Sequence, residues 1–166
     1  MNKKKKYLIR LLTQEAALGN VEKFQELSKG VDYSPDFFLK YAISNGRVDM
    51  SEFLLPKSKN PQISRISRMI KSSKCYIRLI EDMDEKKHPH LYKKRSIIIN
   101  RISTFIIDRG QSDRFIKLLK LVDSDKKKEI INQAKDHVKD LSTENRKKIH
   151  QVLMMYEREK ILESLI

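Results

Sequence analysis

Residues 17–35 read ALGNVEKFQELSKGVDYSP, and the frame inside them decides the fold. Gly19 is followed three residues on by an acid, Glu22, and eight residues on by a leucine, Leu27; the stretch then runs through Gly30 into Val31-Asp32. The frame returns twice. Gly46 is followed by Asp49 and Leu54, and Gly110 by Asp113 and Leu118, the last copy closing again in Val122-Asp123. A weaker copy starts at Ser72, which follows Pro61 by the interval that separates Gly46 from Pro35.

Each copy reads as a pair of antiparallel helices. The glycine allows a tight reversal, the acid sits in the first turn of the second helix, and the leucine is expected in the core. Just before each glycine the first helix carries small or apolar residues: Ala16 and Ala17, Ala42 and Ile43, Ile106 and Ile107. The small residues among them let neighbouring helices approach closely.

Outside these frames the punctuation is also helical. Ser34-Pro35-Asp36, Asn60-Pro61, Ser112-Asp113, Ser124-Asp125 and Ser142-Thr143-Glu144 are start signals. With the glycines as stops they predict helices over about 6–18, 21–29, 35–45, 48–55, 61–72, 75–82, 90–109, 112–121, 125–140 and 143–165. Only four Gly and four Pro, with no Trp, agree with an all-α chain, since strand-rich domains need more turn residues. The stretch EDMDEKKHPH, residues 81–90, is the most polar connection and reads as a hinge or insertion.

At 166 residues with 39% hydrophobic content, a core can form without disulfides. The lone Cys75 suits a reducing compartment. The basic start MNKKKKYLIRLL breaks at Thr13-Gln14-Glu15, unlike a signal peptide, and no run is long enough for a membrane span. The expectation is a cytoplasmic chain.

The residues around the frame resemble ankyrin repeats. AALGNVEKFQELSKGVDYSP is similar to that family's pattern of Ala-Ala, Gly, acid, Leu and Gly-Ala-Asp, with Val31 in place of the last Ala. AISNGRVDMSEFLL and IIDRGQSDRFIKLLKLVD are similar but less complete. The resemblance is good over roughly 10–56 and 97–123, poor over 57–96 and absent after 124. It departs in one further respect: the Gly19-to-Gly46 interval is 27, against ~33 for a regular repeat. No Thr-Pro-Leu-His precedes any Ala pair, and the shortfall falls between pairs, so the family's projecting hairpins are expected to be truncated or missing. The resemblance implies a single domain, a short α-solenoid of about five antiparallel helix pairs. Its units are about 7–32, 35–56, 61–82 and 90–123, with a long C-terminal capping helix in 124–166.

No catalytic constellation is visible, so the chain is read as a non-enzyme without cofactor or metal. His88 and His90 form an H-x-H that reads as a solvated loop, and Glu81, Asp82, Asp84 and Glu85 lack the glycine and spacing of a calcium loop. Cys75, between Lys74 and Tyr76, reads as structural.

Charge is the remaining signal. The net charge of +14 is concentrated in three acid-free tracts, 3–10, 57–78 and 86–101, which hold 18 of the 36 basic residues. The candidate binding face is Lys57, Lys59, Arg65, Arg68, Lys71, Lys74, Arg78, Lys93, Lys94 and Arg95. In NPQISRISRMIKSSK the residues Arg65, Arg68 and Lys71 recur every three positions while Ile63, Ile66 and Ile70 fall on another face. The expected function is a protein–protein interaction module whose partner offers an acidic surface, with nucleic-acid binding as the alternative. Few aromatics accompany the lysines, which counts against single-strand stacking. The same lysines also read as solvated surface under an AT-rich coding bias of the kind many viruses and phages have. On that reading the partner is a host factor and the compartment the host cytoplasm.

Overall fold

The computed structural model describes residues 3–59 and 73–163. The expected helix over 61–72, with Arg65, Arg68 and Lys71, lies outside the described residues. Ten α-helices stand among them, and no strand. They are α1 (Lys3–Leu18), α2 (Val21–Ser28), α3 (Pro35–Ser44), α4 (Val48–Leu54), α5 (Ser73–Glu81), α6 (Pro89–Tyr92), α7 (Arg95–Asp108), α8 (Ser112–Lys120), α9 (Ser124–His137) and α10 (Thr143–Glu163). Short 3-10 turns, Leu55–Lys57 and Val138–Asp140, extend α4 and α9.

Two of the frame glycines, Gly46 and Gly110, end helices by one hydrogen-bond pattern, while at Gly19 the amides of Gly19 and Asn20 both donate to Glu15. The Arg47 amide donates to Ala42 and the Gly46 amide to Ile43; Gln111 and Gly110 repeat this onto Ile106 and Ile107. This double bond satisfies carbonyls that a helix end leaves open, and it requires the left-handed backbone that Gly46 (φ 67°) and Gly110 (φ 58°) supply. Close packing adds a second requirement. A Cβ at position 46 would stand 2.3 Å from the Cys75 carbonyl oxygen, and one at 110 would stand 2.8 Å from the Asn145 Cα.

The caps depart from the expected start signals in detail. Asn20 accepts from the Lys23 amide at 3.1 Å and Asp123 from the Lys126 amide at 2.8 Å, so α9 is capped one residue before Ser124. Ser34 makes no capping bond; Pro35 and Asp36 open α3, and Ser58 donates to the Asp36 carboxylate. The predicted 90–109 helix is two helices, because the chain turns at Lys93-Lys94 between α6 and α7.

The fold divides into two compact units, 1–98 and 99–166. In the first, α1 packs against α2 and α3, α3 against α4 and α5, and α2 against α4. Its core holds Leu12, Ala16, Ala42, Ile43, Met50 and Leu54, all fully buried. Phe24 adds an edge-on aromatic cluster with Tyr33, Phe38 and Phe53. In the second unit α10 packs against α8 and α9. Ile102, Ile106, Ile107, Phe115, Leu118, Ile130 and Ile149 are buried there.

The repeat frame predicts the core well but not completely. Leu54 and Leu118 are fully buried, whereas Leu27 is only half-buried. On α2 the buried position is Phe24, five residues after the glycine; Phe115 occupies the same position after Gly110. A buried Phe at this position does not by itself exclude the frame leucine, since Leu118 is fully buried beside Phe115 while Leu27 is not beside Phe24.

Candidate interaction surface

The polar connection that follows α5 is tied to its own turn and to α4 by a set of side-chain hydrogen bonds. Asp84 folds it locally, its Oδ1 accepting from the amides of Lys86 at 3.0 Å and Lys87 at 2.8 Å. These bonds, with the charge of Lys87, hold the Asp84 carboxyl below its ordinary value. The turn carries His88 inward, where it is 6% exposed. Its Nδ1 accepts from the Asp84 amide at 3.0 Å, so the ring proton sits on Nε2 and is donated to Asp49 Oδ1 at 3.1 Å.

Two residues on, α4 grips the start of α6. Glu52 Oε2 accepts from the Leu91 amide at 2.7 Å; Oε1 takes the His90 amide at 3.0 Å and meets His90 Nδ1 at 2.6 Å. Burial pushes the Glu52 carboxyl up, but the Leu91 and His90 donors outweigh it and hold the pKa below its ordinary value. The connection expected as a hinge or insertion is bonded to α4 at both His88 and the start of α6, as a clasp. His88 is a correction to the solvated-loop reading: it is buried, and its Nε2 proton is donated to Asp49, 39 residues earlier. No sequence-local signal links those two residues, although Asp49 itself is the frame acid.

The basic candidates scatter around this clasp. Lys57 lies in the 3-10 turn after α4, with its ammonium 3.2 Å from the Phe53 ring centroid. It is exposed as a residue, yet desolvation on that side holds its pKa below the ordinary lysine value. That turn also packs against α6, which leads directly to Lys93, Lys94 and Arg95. Arg95 lies 5.8 Å from the Tyr92 ring centroid. Lys57 and the Lys93–Arg95 group thus flank one short helix, while Lys59 is exposed just beyond.

On α5, Lys74 is exposed and Arg78 is engaged with Asp82 at 3.3 Å. Arg78 lines a groove of about 270 Å³ with Arg47, Asp49, Asp82 and His88, where the charges balance. It therefore contributes little net field. Arg65, Arg68 and Lys71 lie outside the described residues. Cys75 is half-buried and free, its carbonyl lying against Gly46. Among the described residues no cluster of three or more His, Cys, Asp or Glu could hold a metal ion, and no helix is long and apolar enough to cross a membrane.

Compared with known proteins, the chain matches no family model, no curated protein and no solved structure.

Proposed function

We propose that the chain is a non-enzymatic protein-docking scaffold, a degenerate ankyrin-like solenoid that presents a basic surface to an acidic protein partner. The observation that carries this reading is the packing of successive helix pairs in the first unit. First helices α1 and α3 lie side by side, as do second helices α2 and α4, and each pair reverses at a frame glycine. Stacked pairs bury what a lone pair cannot and leave an extended face for binding. The connection 29–34 between pairs has no strand, which agrees with shortened fingers. If the coding bias reflects a virus or phage, the partner is a host protein.

Nucleic-acid binding remains the second reading because Lys57 and Lys93–Arg95 converge on α6. Salt dependence separates the two. Phosphate binding by about four cations gives a log–log slope near −4 and is abolished when Lys57, Lys93, Lys94 and Arg95 are all changed to Glu. Docking to protein changes more gently with salt. The expected result is weak, salt-labile DNA binding; nanomolar, sequence-tolerant DNA affinity at physiological salt overturns the docking reading.

A further inference from the structure

In the second unit α10 seats Ile149, Val152 and Leu153 on its own core, all 4% exposed or less. The same helix leaves Met154 at 40% exposure and Met155 at 53%. Met155 is not isolated. With Ile116 and Leu119 of α8 and Tyr156 of α10 it lines an apolar groove of about 90 Å³. That volume suits one inserted aliphatic anchor, and a methionine wall adapts to the shape of what enters.

The rim specifies the charge of the occupant. Lys120 and Lys127 line it on the α8 and α9 side. Nearby lysines have carboxylate partners: Lys126 with Glu129 at 2.7 Å, Lys128 with Asp125 at 3.6 Å, and Lys135 with Glu157 at 2.7 Å. Lys120 and Lys127 have no ion pair with any described residue. Glu159 on the opposite rim answers one of them in sign, which leaves positive charge in excess.

We infer that this groove receives an amphipathic segment of a partner protein, an apolar anchor flanked by carboxylates. The inference rests on the docking reading and names the chemistry of one partner segment. The anchor seats against Leu119 and Met155, and its flanking acids pair with Lys120 and Lys127. A basic segment would set like charges against both lysines, which costs affinity and slows encounter.

The test uses the full chain, isotopically labelled, and two synthetic helical peptides. One carries leucines one turn apart with glutamates beside them; its twin has lysine for every glutamate. The glutamate peptide is expected to shift the amide resonances of Leu119, Lys120, Lys127 and Met155, and its lysine twin to leave them in place. Lys120→Glu with Lys127→Glu is expected to weaken binding on the order of tenfold while the circular dichroism spectrum is unchanged. Equal binding of the twin, or shifts confined to Lys57 and Lys93–Arg95, overturns the inference. So does a chain that sediments as a dimer and is split by Met155→Glu, because the groove then belongs to a second copy. The docking reading fails separately, through tight DNA binding, and that result leaves the peptide mapping readable.

Discussion

The second helix of the frame is used in opposite ways in the two units. In the first unit α4 offers Asp49 and Glu52, three and six residues after Gly46, and the chain's own polar connection bonds to both, covering Glu52 and leaving Asp49 at the surface. In the second unit the same positions after Gly110 are Asp113 and Ile116. Asp113 is exposed and Ile116 lines the open apolar groove. One helix face is finished internally, and the other keeps apolar and cationic groups at the surface. Helices with a common frame therefore share a buried side, while their outward side is free to diverge.

The shared side carries the largest predicted effects. Leu54→Ala and Leu118→Ala should each cost ~2–5 kcal/mol, because both side chains are fully buried and their removal leaves a cavity. Leu27→Ala should cost clearly less, since Leu27 already reaches solvent. Urea denaturation of the three variants measures the order; equal losses at Leu27 and Leu54 would put Leu27 in the core as the frame predicts, against its half-buried position.

A second comparison concerns glycines with one backbone conformation and different neighbours. Gly46 and Gly30 have φ of 67° and 70°, so an added side chain strains both. Only at Gly46 does a Cβ also collide with backbone, the Cys75 carbonyl oxygen at 2.3 Å; at Gly30 nothing lies within 4 Å. Gly30→Ala should cost ~1–2 kcal/mol. Gly46→Ala should lower the melting temperature further, because α5 must shift as well. Matching melting temperatures would remove the close approach of α5 from the account.

The closed face of α4 predicts a pH effect. Because the folded pKa of Glu52 lies below its ordinary value of 4.5, its stabilisation is present above that value. It is lost as acid takes the pH down through the folded pKa. Glu52→Gln should cost up to ~1.5–3 kcal/mol near neutrality, the usual range for hydrogen bonds to a charged group. The deficit should shrink below pH ~4.5. A deficit that stays constant from neutrality to acid would mean that Glu52 acts through shape alone.

Much of this organisation was legible in the residues, and the limits are physical. The glycines and apolar spacing are local signals, so the helix boundaries α2, α3, α4 and α8 follow the expected spans within a residue or so. The break at Lys93-Lys94 was hidden because HLYKKRSIIIN is continuous in helical character. Glu52 caps the start of the first of the two helices by accepting from the Leu91 amide, a contact that no local pattern shows. The burial of His88 was hidden for the same reason. Its proton acceptor lies far away in sequence, and an H-x-H beside lysines looks solvated until Asp49 is brought to it. The basic face was legible as composition only. Charge runs do not say which lysines find carboxylates, and Lys120 and Lys127 stood out only once their neighbours were seen to be paired.

The smallest predicted effect tests the outward faces directly. Asp49 and Asp113 occupy one frame position, in the first turns of α4 and α8, where a carboxylate interacts favourably with the helix end. For Asp113 that interaction alone predicts a loss of ~0.3–1 kcal/mol on substitution by Ala. Asp49 adds the bond to His88 Nε2, but its side chain is 83% exposed, so water replaces part of what is lost. The buried His88 side then decides the difference, because its ring keeps an N–H with no acceptor. Asp49→Ala should therefore exceed Asp113→Ala by ~1 kcal/mol, and Asp49→Asn, which retains an acceptor oxygen, should recover most of the excess. Thermal unfolding of the three variants reads this directly. If Asp49→Ala and Asp113→Ala lose the same stability, His88 is satisfied by water, and the closed face of α4 is held by Glu52 alone.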